Sequence, residues 1–364
     1  MSGETYLLIQ RWGKDLGGVE SWGYSIKVLL EKRNPIQLFA FRECSAFGKL
    51  WYCCKMLSGK RFVLMDYRMI IFLPLVLLKA LFKKVDIFII LHGDEVLKMN
   101  FSHRIILNLL NKLYKFTFLA NSNYTAGVHK KNFKSAEVFV VHPFDNYKVY
   151  LSNLKKVVQT KNLLNSGQNI SSYQVPNLDV LNICIIARLV KRKNHENVIR
   201  AILIISNMRL PFTVKLKIAG DGPERENIKT LINDLEMREQ IDLLGKITEE
   251  QKRELLNMSD LFVMPTLYNP KELSIEGFGI SYIEACCHGC PSVYVPVGGV
   301  VDAVMENVTG ISCDGSPESI ASAILKAKGF DWDVSAFTEH VLKFDSSAQQ
   351  RFETLVWGQD YCDL

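Results

Sequence analysis

The chain has 364 residues, 48% of them hydrophobic and 23% charged, a composition that excludes a disordered, collagen-like or low-complexity protein and suits two α/β domains better than one core. Its charge is unevenly divided: residues 1–170 carry 25 Lys+Arg against 11 Asp+Glu, and the remainder carries 19 against 27. No nucleic-acid recognition motif accompanies the basic half and its excess is spread over many elements, so an anionic membrane surface fits it better than nucleic acid.

Taken in order, Thr5–Gln10 reads as a strand, followed by the loop RWGKDLGGVE and a helix over Val19–Lys32. Ile36–Phe41 and Arg61–Asp66 are further strands, Met69–Phe82 a helix and Asp86–Leu91 a buried strand. Helix, strand, helix and strand follow at Phe101–Lys115, Phe116–Ala120, Tyr124–Lys131 and Glu137–His142. Such alternation predicts a parallel sheet with helices on both faces, whose ligands sit beyond the carboxyl ends of the strands. Gly17-Gly18 and His92-Gly93-Asp94 fall there. MIIFLPLVLLKALF is too short an apolar run to span a bilayer, which takes roughly 20 residues. It is interrupted by Pro74 and ends among Lys79, Lys83 and Lys84, so it reads as a helix packed on the sheet, its basic end the part able to touch lipid headgroups.

Periodicity fades over 146–180, which reads as a linker with a short helix near Leu151–Lys161. Alternation then restarts: strand Leu181–Ile186, helix Asn194–Ser206 and strand Val214–Ala219 leading into Gly220-Asp221-Gly222-Pro223 and another helix. Ile241–Leu244 is a strand, Thr248 and Gln251 form a capping box, and Asp260–Met264 and Ser292–Val295 are strands. Ser316-Pro317-Glu318 opens one more helix. The expected architecture is two doubly wound Rossmann-like domains, 1–145 and 181–330, facing a cleft. A tail follows at 331–364, for which packing back toward the first domain is one outcome. Nine cysteines without a paired framework suit a reducing compartment, and MSGETYLLIQRWG shows no secretory leader.

The chemistry concentrates in EGFGISYIEACCHGCPSV, residues 276–293. Two glycines before a helix let the backbone approach a ligand and aim N–H groups outward, and the positive end of the helix dipole favours phosphate. Glu276 lies before the turn and Glu284 on the helix, so the two carboxylates bracket a phosphorylated ligand, although a loop-helix with solvated glutamates serves these residues equally well. ARLVKRKNH adds Arg188 and Lys193 just after a buried strand, a planar fork and a mobile cation for phosphate oxygens, with Asn194 placed to cap the next helix. A basic loop at a strand end is the plainer alternative.

Glu276 and Glu284 have the spacing of the E-x7-E motif, and with Arg188 and Lys193 the stretch 181–330 resembles the family 4 glycosyltransferases. The resemblance is weaker over the first 145 residues. It implies a GT-B fold and a retaining sugar transfer from a nucleotide-sugar donor to an acceptor hydroxyl, without a catalytic metal or other cofactor. In that reading Arg188 and Lys193 hold the diphosphate, aided by backbone N–H groups around Phe278, Gly279 and Ile280. Glu284 accepts ribose hydroxyls, and Glu276 stabilises positive character at the anomeric carbon. Gly220 of the GDGP turn and Gly17-Gly18 match glycines near the donor, and His92 matches a histidine beside the transferred sugar. Spacing alone fits an ordinary turn at Gly17-Gly18 as well, and a structural histidine at position 92.

The resemblance further implies a glycan or lipid-linked glycan acceptor in bacterial surface polysaccharide synthesis. The enzyme would be cytoplasmic, at the inner face of the membrane. A non-hydrolysing nucleotide-sugar epimerase and a non-catalytic nucleotide-sugar-binding partner are the alternatives. CCHGC at 286–290 places its ligands too close together for a closed tetrahedral metal site, so these cysteines read as small buried residues. Three departures from the family pattern stand out: VHPFDN at 141–146, Asp302 after Gly298-Gly299, and Lys271-Glu272 in a loop of variable length.

Overall fold

The protein is described from a computed structural model, in which residues 4–12, 17–133, 136–147, 149–150, 180–269 and 271–358 are described. Most of the expected linker, including its short helix, lies outside these residues. The chain forms two compact units, Met1–Asn146 with Phe344–Leu364, and Tyr147–Lys343.

The first unit contains strands β1 (Thr5–Ile9), β2 (Ile36–Ala40), β3 (Arg61–Leu64), β4 (Asp86–Leu91), β5 (Thr117–Ala120) and β6 (Val138–Val140). They form one sheet in the order β2-β1-β3-β4-β5-β6, and every pairing is parallel. All five residues of β1 are buried, because a parallel sheet covered on both faces needs continuous apolar strands rather than alternating ones. The helix expected over Met69–Phe82 is instead a 3₁₀ turn, Tyr67–Phe72, and a short helix, Pro74–Ala80. Pro74 has no N–H to give to a preceding turn and so starts a helix rather than continuing one. The helix Ala46–Lys55 was not legible in the sequence; its start is capped by Ser45, whose Oγ accepts from the Gly48 N–H at 3.1 Å.

The second unit contains β7 (Val180–Ile186), β8 (Thr213–Ala219), β9 (Ile241–Gly245), β10 (Leu261–Val263), β11 (Ser292–Tyr294) and β12 (Gly310–Ser312). Their order is β12-β11-β10-β7-β8-β9, again wholly parallel, the doubly wound order of a dinucleotide-binding sheet. Its core packs Ile183, Ile185, Leu216, Ile218 and Val263 against helix residues such as Val198, Ile202 and Ile324. The capping box of Thr248 and Gln251 is formed, and Ser316 caps the helix Pro317–Gly329. Asn194 does not cap as expected. It adopts a left-handed φ of 61°, and its Nδ2 donates to the Gly315 carbonyl at 2.8 Å. An asparagine tolerates that backbone, and the buried carbonyl gains the donor.

The stretch 331–364, read as one tail, divides between the units. Helix Val334–Leu342 belongs to the second, and helix Ser346–Trp357 to the first. There Arg33 Nε meets Glu353 Oε1 at 3.0 Å, and the Arg61 guanidinium lies 4.1 Å from the centre of the Trp357 ring. Among the described residues no helix is long and apolar enough to cross a membrane.

Candidate functional site

In the second sheet the chain runs outward from β7 to β8 and β9 on one side, and from β10 to β11 and β12 on the other. The loops after β7 and β10 therefore part at the carboxyl edge, where such sheets take their ligands. The two most informative stretches of the sequence lie in these loops.

The loop after β7 is held by the GDGP turn. Gly220 has φ 138°, and a Cβ there would lie 1.8 Å from the Ala187 carbonyl oxygen; one on Gly222 would lie 2.4 Å from that of Leu189. This close approach lets the Leu189 N–H donate to the Asp221 carbonyl and the Glu224 N–H to that of Leu189, both at 3.0 Å. Gly220 is thus tied to the course of the loop bearing Arg188. The chain then winds one 3₁₀ turn, Lys191–Lys193. That turn presents two adjacent cations to a single carboxylate: Arg192 Nη1 lies 2.9 Å and Lys193 Nζ 2.5 Å from Glu276 Oε2. Arg188 is exposed beside this cluster, and its charge reaches Lys193.

Burial alone would raise the Glu276 carboxyl, but Lys193 and Arg192 outweigh it and hold the group at about 2. Burial draws Lys193 below the usual lysine range; Glu276 opposes this, while Arg192 and Arg188 add to it. The backbone at Glu276 is also fixed, since its carbonyl accepts from the Gly299 N–H at 2.9 Å and a Cβ on Gly298 would lie 2.4 Å from it. Beyond the turn, Phe278 is buried and Gly279 takes φ 98° to start the helix Ile280–Cys287, whose first turn no side chain caps. Its N–H groups face the loop side, as an anion site requires.

Glu284 meets a different partner. Lys252 Nζ, on helix Glu249–Asn257, lies 2.6 Å from Glu284 Oε1 and 2.9 Å from Glu249 Oε2. Burial would lower Lys252, but the two carboxylates overcome it and hold the ammonium above its usual range. Two cations share one carboxylate at Glu276, and two carboxylates share one cation at Lys252.

Neither Arg192 nor Lys252 was singled out from the sequence. Arg192 stood within the basic run KRK, where only the 3₁₀ turn decides which residues face Glu276. Lys252 carries no sequence signal beyond its place after the capping box. The CCHGC segment is buried: Cys290 Sγ donates to the Ser259 carbonyl at 2.9 Å, and His288 Nδ1 lies 2.7 Å from Asn257 Oδ1. No group of three metal-ligating side chains occurs among the described residues.

Gly17, Gly18 and His92 belong to the first unit. Gly17 precedes the helix Gly18–Glu31 and follows the loop after β1, the strand at which that sheet's order reverses. His92 follows β4. Its Nε2 donates to the Met65 carbonyl at 2.7 Å, and the Trp22 ring stands edge-on to it at 5.6 Å. The backbone N–H of His92 donates to the carboxylate of Glu95, a group whose pKa burial raises.

Residues 170–328 match the family model described as "Glycosyl transferases group 1". A GDP-mannose-dependent α-(1-6)-phosphatidylinositol monomannoside mannosyltransferase of Mycolicibacterium smegmatis is 34% identical over 143 residues, covering 39% of this chain and 37% of that protein. The chain spans less than half the length of the curated relatives of this kind that it matches. Among solved structures, Anabaena HepE, crystallised with UDP, superposes with a TM-score of 0.70 at 17% identity, covering 97% of this chain and 99% of that one. The sucrose-phosphate synthase of Thermosynechococcus elongatus gives 0.71 at 14% identity, over 97% and 98%. The protein has the two-domain α/β fold of the GT-B glycosyltransferases, and its second domain carries the group 1 sequence pattern.

Proposed function

We propose that the protein is a retaining glycosyltransferase that moves a sugar from a nucleotide-sugar donor to an acceptor hydroxyl, without a catalytic metal. The observation that carries this reading is the opposite charge imbalance at the two ends of the Glu276–Glu284 segment. At one end Arg192 and Lys193 converge on a single carboxylate, with the charge of Arg188 reaching Lys193 and an uncapped helix start alongside, and an anion completes that set. At the other end Glu249 and Glu284 share Lys252, leaving carboxylate oxygens for hydroxyl donors. A nucleoside diphosphate supplies both, with its phosphates toward the cations and its ribose toward Glu284.

In this arrangement the cations oppose the charge that grows on the departing diphosphate, the role that a metal ion fills elsewhere. Glu276, kept ionised by Lys193 and Arg192, faces positive character at the anomeric carbon, and retention of configuration follows from the resemblance of this segment to retaining enzymes. The acceptor in this reading is a lipid-linked glycan at an anionic membrane face, in keeping with the basic first half of the chain and with the phosphatidylinositol mannoside named for one relative.

A thermal-shift screen with UDP, GDP and ADP and their sugar conjugates tests the donor site, since a ligand of the folded state alone raises its melting temperature. One nucleotide should stand out, without added divalent metal. No shift from any of them removes the donor site. Donor incubated alone should stay unchanged; its conversion to a second nucleotide sugar would make the protein an epimerase instead.

A further inference from the structure

At the carboxyl edge of the first sheet, the segments that follow β1 and β2 are tied together. The Arg42 N–H donates to the Gln10 carbonyl at 2.9 Å, and the Trp12 N–H donates to Glu43 Oε1 at 2.6 Å. The order of this sheet reverses at β1, the place where doubly wound sheets take ligands. The backbone thus holds Trp12 where a ligand of the first unit would lie. The indole rests along helix Gly18–Glu31. The Tyr24 ring is 5.8 Å away and inclined by 33°, and Lys27 Nζ is 5.9 Å from the centre of the Trp12 ring. Tyr24 and Lys27 are three residues apart on that helix and share one of its faces, so both meet Trp12 from the helix side. This packing half-buries the indole and leaves open the face turned from the helix.

The charge around the ring says what it can take. Arg11 precedes Trp12, and Arg42 precedes the Glu43 that anchors it; both arginines are exposed, and neither makes an ion pair among the described residues. Lys27 is engaged by Glu31 at 2.6 Å, and Glu43 by the Trp12 N–H. An open indole face is a flat apolar surface with negative charge over the ring, which suits the C–H groups on one face of a pyranose. A guanidinium offers a fork that fits a carboxylate or a phosphate. A free anion would not use the ring, and a neutral sugar would not use the arginines.

We propose that Trp12 is a stacking platform for an acidic sugar, with the pyranose ring on its open face and the carboxylate or phosphate of that sugar between Arg11 and Arg42. Placing this sugar in the acceptor rests on the transfer reaction proposed above, in which the cations of the second unit already hold the nucleoside diphosphate. Binding itself does not rest on that reaction, since it is read without donor.

The test is titration of the full chain, by calorimetry and by saturation-transfer NMR, with methyl glucuronide, glucose 6-phosphate, methyl glucoside and UDP. One of the two acidic sugars should bind about tenfold or more tightly than methyl glucoside, and which one does so tells carboxylate from phosphate. Trp12→Ala should weaken that sugar about tenfold or more, whereas Trp12→Phe, which keeps a ring, should stay within about threefold of the wild type. R11S/R42S should bring the acidic sugar down to the level of methyl glucoside with an unchanged melting temperature, because both side chains are exposed. The affinity for UDP should be the same in all four proteins. No preference for an acidic sugar, or binding of it by Trp12→Ala and R11S/R42S as tight as by the wild type, overturns the proposal. So does a loss of UDP affinity in Trp12→Ala, which would assign the ring to the donor nucleotide. A failed donor screen would remove the transfer reaction and leave these titrations standing, and their failure would leave the donor site untouched.

Discussion

Glu276 and Glu284 are the same side chain at the two ends of one loop-helix, and the fold gives them opposite surroundings. At Glu276 two cations crowd one oxygen, which holds the carboxylate at about 2 while burial draws Lys193 down. At Glu284 the cation is the scarce partner: Lys252 is shared with Glu249 and is held above its usual range. A carboxylate between the buried Lys193 and the half-buried Arg192 is committed before any ligand arrives. A carboxylate competing for one cation keeps capacity to accept hydrogen bonds. The spacing of the two glutamates is thus less informative than the sign of the imbalance around each.

The largest effect is expected at Glu276. Glu276→Gln removes the carboxylate that Arg192 and Lys193 share, and breaking a buried pair costs about 3 kcal/mol. In the proposed reaction kcat should fall roughly a hundred-fold or more, because the lost charge opposes positive character that develops only in the transition state. Donor titration should change far less. A pH series sharpens the comparison. The folded carboxyl lies at about 2 against an ordinary value of 4.5. Its contribution is therefore complete above about pH 4.5 and disappears as pH falls through the folded value near 2, amounting to about 3 kcal/mol at most. Urea unfolding of wild type and variant should differ near neutrality and converge toward pH 2. A constant gap would show that the charge of Glu276 is not what stabilises the cluster.

Next come the cations. Arg188→Ala and Lys193→Ala should each weaken nucleoside diphosphate binding by about 1.5–3 kcal/mol, read by calorimetry. Only Lys193→Ala should also lower stability, since Lys193 is buried against Glu276 and Arg188 is exposed. Unchanged affinity in both variants would move the diphosphate elsewhere.

The smallest effect is expected at Glu284. Glu284→Gln leaves Lys252 paired with Glu249, so stability should change by less than about 1 kcal/mol. KM for the donor should rise about tenfold with kcat nearly kept, because a ribose contact is made equally in ground and transition states. A loss confined to kcat would exchange the roles of the two glutamates.

Local pattern determined much of this protein. The capping box at Thr248 and Gln251, the Ser316 cap, the buried strands and the glycine-led helix after Glu276 each depend on residues a few positions apart, so they could be read along the chain. The sequence also marked Arg188 and Lys193 after a strand, Glu276 before a turn and Glu284 on the helix that follows it. It did not contain the order of the strands, which sets the loops after β7 and β10 side by side. Nor could it say that Arg192, 84 residues from Glu276, joins Lys193 on the same oxygen, or that Lys252, 32 residues from Glu284, is its partner. Pro74 announced a break, but whether the residues before it stayed helical depended on the sheet beneath them. Residues 331–364 divide between two units because each helix buries its apolar face where a matching surface exists. Charges and apolar faces find partners through space, and only the folded chain fixes those distances.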